Sequence, residues 1–446
     1  MKSSYNSQRR RFLKLTAGMA SLGISGLELL PHVASASTFS DYKALVCIYL
    51  NGGNDGNNMI VPLDSKRYNA YQSIRGNLAL TGSKLLAPIT DGSGNPYALN
   101  YGLVEINALY NSGRLGIVLN TGTLLNPLSK SVYLQGQGGL NNLFSHSDQP
   151  AQTQTGQPIP NGKGWGGSLL DNLGGTQDML AAVSVSVPAL LLQGNTVIGN
   201  IVTPGSSLNL AGMDFWDPTV SQARRQAVNQ IITQDGGYVL RQSANQAMAN
   251  GLKLSNALKA NAKQSPLATV FPSTSIGSQM QQVINLIRFR SQQGSGRQVF
   301  FCSLDGFDTH GGQLWQQWNL FTQFSQAMNA FYLATQETGL SQQVTSFTQS
   351  EFSRTLQSNG DGSDHGWGNH QLVLGGAVKG GIYGQLPDFT LNGVDDANGR
   401  GVWIPKIATT QFAATLGRWF GASATELAAT FPNLSQFASS NVGFMG

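Results

Sequence analysis

Cysteine is nearly absent: Cys47 and Cys302 are the only two in 446 residues, too few to hold a chain of this size in a disulfide framework. Each lies in an apolar run, 43–50 and 298–304, that reads as a buried strand, so both are expected as small core residues rather than as halves of a bridge. Charge is scarce too, with Asp, Glu, Lys and Arg making up 11% of the chain. The formal net charge of +5 is largely terminal, because five of the 27 bases and one of the 22 acids lie in residues 1–36, leaving +1 for the rest. That balance gives no reason to expect a nucleic-acid partner. Long hydrophobic runs are also missing. The longest candidate, 15–30, is broken by Gly, Ser, Thr and Glu28 and is too short and interrupted for a spanning helix. No internal repeat recurs at solenoid periods.

What is present at the N-terminus is Arg9-Arg10-Arg11-Phe12-Leu13-Lys14, an interrupted apolar stretch, and Ala34-Ser35-Ala36. This pattern predicts a twin-arginine export signal over 1–36 with cleavage after about Ala36. The expected location is therefore periplasmic or secreted, with the twin-arginine translocase as a partner during export. Residues 37–446 are expected as a single α/β unit, since large α/β enzymes with insertions reach this length.

Near-continuous apolar runs at 43–50, 115–119, 299–304 and 344–348 predict strands covered on both faces. Glycine-rich or acidic turns follow them: Asn51-Gly52-Gly53-Asn54-Asp55, Asn120-Thr121-Gly122, Asp305-Gly306-Phe307-Asp308 and Ser350-Glu351-Phe352. Spacings of three and four predict helices over 101–112, 276–293 and 314–337. The alternation implies a large, mainly parallel central sheet flanked by helices, with any ligand beyond the carboxyl ends of the strands. A Gln-, Ala- and Asn-rich stretch, about 219–265, predicts an inserted helical segment that either caps a site or covers the sheet.

Histidine points to the chemistry. Three of the five fall between His310 and His370, within Asp308-Thr309-His310 and Asp364-His365-Gly366-Trp367-Gly368-Asn369-His370. Imidazole with carboxylate suits Zn, Mn or Fe, with a position left open for substrate. Asp305, Asp308 and His310 could serve one ion. Asp364 and His365, being sequence neighbours, can share an ion only from an irregular loop, which the surrounding glycines permit, and His370 could return to the first ion. Two ions about 4 Å apart would clamp a phosphoryl or sulfuryl group. Asp55, on its tight turn, is either a ligand or an acid closing that turn. Ser145 and Ser147, flanking His146, are the candidate nucleophilic hydroxyls, or a helix start. Arg354 could fork onto anionic oxygens or pair with a structural acid.

Gly52-Gly53-Asn54-Asp55-Gly56, Ser145-His146, Phe307-Asp308-Thr309-His310-Gly311-Gly312-Gln313, Ser350-Glu351-Phe352-Ser353-Arg354-Thr355 and Asp364-His365-Gly366-Trp367-Gly368-Asn369 together resemble a family of twin-arginine-exported bacterial proteins of unknown function. That family is placed distantly in the alkaline phosphatase superfamily, alongside sulfatases and phosphomutases. The resemblance implies an alkaline phosphatase-like α/β fold with two divalent metal ions (Zn, Mn, Mg or Ca). Asp55, Asp364 and His365 would hold one ion, and Asp308 or Asp305, His310 and His370 the other. A hydroxyl near Ser145 would attack the phosphorus or sulfur. Ser147 stands where the family usually has Phe, and Ser353 where it usually has Gly. The function expected is exported, metal-dependent hydrolysis of phosphate or sulfate esters, the substrate being an anionic ester such as one on a cell-surface or extracellular polymer. The alternatives are an exported non-catalytic binding or assembly protein on the same fold, and a transferase or mutase acting on an anionic group.

Overall fold

An unalternated apolar strand needs cover on both faces, and β1 (Tyr42–Asn51) has it: Ala44, Val46, Ile48 and Leu50 enter one core, Leu45, Cys47 and Tyr49 the other. The computed structural model describes residues 39–446, apart from 139–140, 158–159, 175–178, 206–215, 235–236, 239, 243, 246–247, 250, 253–254, 256–264 and 292–295. The signal expected over 1–36 lies outside the described residues.

The remaining strands are β2 (Ile60–Pro62), β3 (Ile89–Thr90), β4 (Pro96–Leu99), β5 (Leu115–Gly122), β6 (Ala182–Ser184) and β7 (Asn200–Ile201), then β8 (Gly296–Asp305), β9 (Val344–Gln349), β10 (Arg354–Ser358), β11 (Ser363–His365), β12 (Asn369–Gly375), β13 (Gly381–Tyr383) and β14 (Ile407–Ala408). A nine-stranded sheet runs β13-β5-β12-β9-β1-β8-β6-β7, with β14 also on β5. Among the described strands of this sheet, β12 alone runs antiparallel to its neighbours, β5 and β9. β1 lies at the centre, paired in parallel with β8 from Tyr42 opposite Gly296 to Asn51 opposite Asp305, and with β9 from Ala44 opposite Val344 to Tyr49 opposite Gln349. The apolar runs expected as strands are β1, β5, β8 and β9.

One face of the sheet is covered by helices Val104–Asn111, Ser275–Ser291 and Gln313–Glu337, which supply Ile106, Met280, Ile284, Phe321 and Phe324 to that core. The other is covered by Trp165–Asn172, Thr409–Phe420 and Ala424–Thr430 through Trp165, Leu169, Phe412, Leu416 and Leu427. The fold is therefore α/β, with a large, mainly parallel central sheet flanked by helices. Cys47 and Cys302 are free and fully buried, on opposite faces of the sheet, so no bridge joins them. Of the segment expected as an inserted helix, Pro218–Thr233 is helical and largely exposed, with Ser221 its buried residue. Much of the rest of that segment lies outside the described residues.

Two smaller elements position the site. Hairpin β10–β11 sets Arg354 opposite His365. Helix Ser65–Arg75 begins at Asp64, whose carboxylate accepts the Arg67 amide at 3.0 Å, and its last residue, Arg75, is driven into the interior with no exposed surface.

Candidate metal centre

The carboxyl ends of β1, β8 and β9 are neighbours in the sheet, and the turns that follow them converge. Gly52 makes the convergence possible: its φ is +115°, and a Cβ there would lie 2.4 Å from the backbone nitrogen of Asp308. The chain after β8 thereby crosses over the end of β1 and delivers Asp308 and His310 to the rim. Gly362 plays the same part in the β10–β11 hairpin, where a Cβ would meet the His310 carbonyl carbon at 2.2 Å.

Asp308 is the hub. Its Oδ1 accepts from Arg354 Nη1 at 2.9 Å and lies 3.1 Å from His310 Nε2 and 3.2 Å from His365 Nε2, while its Oδ2 lies 3.3 Å from His146 Nε2. The imidazoles are oriented by their other nitrogens. His365 Nδ1 is 2.7 Å from the Phe144 carbonyl, which can only accept, so the proton sits on Nδ1 and the Nε2 lone pair faces the cluster. His310 Nδ1 lies 3.2 Å from an oxygen of Asp364, which aims its Nε2 at the Nε2 of His365, 3.1 Å away. Asp364 is itself held by Arg400 at 2.5 Å. Phe352 stacks on His365 with ring centroids 4.4 Å apart and touches the His146 ring at 5.0 Å, fixing both imidazole planes.

The result is a carboxylate and three imidazoles gathered at one rim, with the Nε2 lone pair of His365 turned toward Asp308. Among the described residues, His146, Asp308 and His365 offer ligand atoms all within 4.8 Å of one another. A nitrogen and oxygen donor set of this kind, with each imidazole braced by a carboxylate or carbonyl, fits a divalent transition-metal ion. The side chains are accessible: 42% of His146, 44% of Asp308 and 47% of His310 is exposed.

The charges are tuned by their surroundings. Burial disfavours ionised Asp308, but the hydrogen bond and charge of Arg354, helped by His146 and His365, hold its carboxyl below the usual range. Asp364 is likewise held low against burial, chiefly by Arg400 and Asn359. Burial, assisted by the charge of Arg354, lowers His365 and keeps it neutral, the form that ligates. Glu351, nearly enclosed, is pushed up by burial although it accepts the Gly52 amide at 2.7 Å and faces His146 Nδ1 at 3.5 Å.

Of the residues expected as ligands, the structure brings together Asp308, His310, Asp364 and His365. It places the other three elsewhere. Asp55 is fully buried in an ion pair with Arg75 and also accepts from Gln313 Nε2, so its charge is already neutralised. His370 lies inside β12, where its Nδ1 accepts the Asn120 amide at 3.0 Å, and complete burial lowers its pKa to about 4. Asp305 ends β8 and accepts from Asn51 Nδ2 at 2.8 Å and Ser303 Oγ at 3.2 Å. Neither Asp55 nor His370 shares a hydrogen bond or ion pair with the cluster, which separates both from the ion partners the resemblance gave them.

Arg354 is wholly buried and holds Asp308, Gly52 and Ser363 rather than an open anion site. Ser145 and Ser147 both donate to Asp148 Oδ2 at 2.7 Å, in a turn leading into helix Gln149–Thr155. Two non-glycine residues there have positive φ, Asn142 at 55° and Phe144 at 69°, a backbone strain that sets the Phe144 carbonyl under His365 and His146 beside Asp308. His146 is the residue the sequence reading left out of the ligand set. The only signal for it was its place beside the candidate hydroxyls, since its partners are more than 150 residues away in sequence.

Solved structures similar to the chain include the PsFucS1 sulfatase from Pseudoalteromonas sp. (10% identity, 91% of this chain and 74% of that chain covered, TM-score 0.37). They also include Ps i-CgsB in complex with k-i-k-neocarrahexaose (8% identity, 86% and 73% covered, TM-score 0.35). A third is the phosphonate monoester hydrolase of Agrobacterium radiobacter (8% identity, 85% and 74% covered, TM-score 0.30). No curated protein sequence matches the chain. The family model described as protein of unknown function, DUF1501, matches residues 107–428, and the chain belongs to that family.

Proposed function

We propose that this chain is an exported metal-dependent hydrolase of phosphate or sulfate esters, with His146, Asp308 and His365 as the core of its cation site and His310 and Asp364 beside them. The observation that carries the reading is the clustering of ligand atoms: His146, Asp308 and His365 each offer one within 4.8 Å of the others, and His365 turns its Nε2 lone pair toward them. A bound divalent ion would supply Lewis acidity to a phosphoryl or sulfuryl oxygen. The protein's own groups do the rest. Arg354 keeps Asp308 charged and in place, Phe144 and Asp364 fix the imidazole tautomers, and Arg400 holds Asp364. Ser145 is the candidate attacking hydroxyl, its proton directed to Asp148, which its hydrogen bonds to Ser145, Ser147 and Asn142 hold in the ionised form.

Metal analysis of the purified mature chain, paired with turnover of p-nitrophenyl phosphate and p-nitrophenyl sulfate, tests this. Near-stoichiometric metal and turnover lost on chelation are expected. A chain that binds no Zn, Mn, Mg or Ca and turns over neither ester sinks the reading. The non-catalytic alternative is favoured by one observation, that both hydroxyls are engaged by Asp148. It predicts metal bound without turnover.

A further inference from the structure

A second concave site opens on the same rim. Beyond the ends of β6 and β8, against the first turn of helix Ser275–Ser291, lies a cavity of about 560 Å³ into which Ser186, Thr203, Ser275, Ser278 and Asp305 face. Three features define what it can hold. First, no Lys, Arg or His is among its lining residues, while Asp305 contributes a carboxylate, so the cavity repels anions. Second, its polar lining is mostly hydroxyl, from Ser186, Thr203, Ser275, Ser278 and Ser303. Third, Asp305 is preorganised: Asn51 and Ser303 both bond its Oδ1, which fixes the carboxylate plane and leaves Oδ2 to accept. The wall behind it is rigid, since Gln279 exchanges hydrogen bonds with the Ser303 amide and carbonyl at 2.9 and 3.0 Å.

We infer that this cavity is a subsite for an uncharged, polyhydroxylated group, a sugar ring, whose vicinal hydroxyls donate to Asp305 and exchange hydrogen bonds with the serine hydroxyls. A carboxylate beside hydroxyls matches a diol, which can donate twice to one acid. An apolar ligand would strand those polar groups without partners. The volume is in the range that encloses a small organic ligand, one or two sugar rings. Asp305 ends β8, and three residues later Asp308 lies over Gly52 at the end of adjacent β1. Three residues of extended chain span at most about 11 Å, a distance that one oligosaccharide ester bridges between the cavity and the metal centre. The inference rests on the hydrolase reading for that ester, and makes the substrate a phosphate or sulfate ester of a saccharide whose unsubstituted ring occupies the cavity.

Saturation-transfer NMR and calorimetry on the mature chain with cellobiose, lactose and maltose, with glycerol as control, test it. Saturable binding of at least one disaccharide and none of glycerol is expected. Asp305→Asn should weaken that binding about tenfold or more, and Ser278→Trp, at an exposed position on the cavity wall, should abolish it. His365→Ala should leave it intact. Failure of all three sugars to bind, or binding that survives both cavity variants, overturns the inference. Loss of ester turnover with sugar binding retained would count against the hydrolase reading alone, and turnover without sugar binding against this one alone.

Discussion

Two groups of acids and bases meet at Arg354, and they use charge in opposite ways. On the exposed side, Asp308, His146, His310, Asp364 and His365 bring imidazole nitrogens and carboxylate oxygens within 3.1–3.3 Å of one another. On the buried side, Arg75 pairs with Asp55, Gln313 donates to Asp55 and accepts from Ser363 at 2.6 Å, and the Ser363 carbonyl accepts from Arg354, with none of these side chains reaching solvent. The first group presents its ligand atoms to solvent, while the second, buried around Arg75 and Arg354, holds the first in shape and leaves Asp55 Oδ1 and Arg354 Nε without hydrogen-bond partners. Arginine reaches Asp308 and Asp364 as well as Asp55, so what separates these acids is exposure: the first two are partly open to solvent and Asp55 is fully buried.

The largest effect that distinguishes the two groups should come from Arg75→Met. It leaves the Asp55 carboxylate buried and unpaired, and should destabilise the fold by about 3–5 kcal/mol in denaturant unfolding. Were Asp55→Asn to keep wild-type stability and lose bound metal instead, Asp55 would belong with the ligands and the contrast would collapse.

Acid titration separates His370 from the cluster. Its pKa is about 4 when folded against an ordinary 6.5, so the unfolded chain binds the proton more readily between those values. Its contribution is thus fully present above pH 6.5 and is lost as the pH falls toward 4, amounting to about 3 kcal/mol over that interval. A stability profile of His370→Gln should have a shallower acid limb than wild type. An unchanged limb would mean that the acid sensitivity arises elsewhere.

His365→Ala should act on metal rather than on folding. Affinity measured by competition with a chelating dye should fall by more than the roughly 10- to 100-fold that loss of a positioning partner costs. The melting transition of the metal-free chain should shift little, since the ring is partly exposed. A large loss of stability with affinity preserved would place His365 with the buried group.

The smallest effect is expected from Ser147→Ala, which removes one of three hydrogen bonds to Asp148 at an exposed turn and should leave the unfolding transition close to that of the wild type. Turnover should persist in Ser147→Ala and vanish in Ser145→Ala. The reverse outcome would move the nucleophile.

The central strands were legible because burial on both faces writes itself as an unbroken apolar run, as in β1 and β8. The Asp308–His310 and Asp364–His365 motifs were legible because each is local, carried on one turn or one hairpin. The role of Asp55 was not, because its partner, Arg75, reaches it from the end of a helix 20 residues further along. Five residues after His365 the chain is already inside β12, and the strand carries the His370 imidazole into the interior, a placement that proximity in sequence does not announce. His146 escaped because its imidazole reaches Asp308 only through a strained turn, and nothing in the composition of that turn announces the contact.

The hairpin β10–β11 carries Arg354 on one strand and Asp364 and His365 on the other. Closing this one small element therefore delivers both the anchor of Asp308 and two of the groups around it. Their partners are distant along the chain: Phe144 is 221 residues from His365, and Gly52 is 299 residues from Glu351. Contacts of such separation form late. β1 pairs with β8 and β9 across separations just as long, so during refolding metal affinity should rise together with the sheet and not before it.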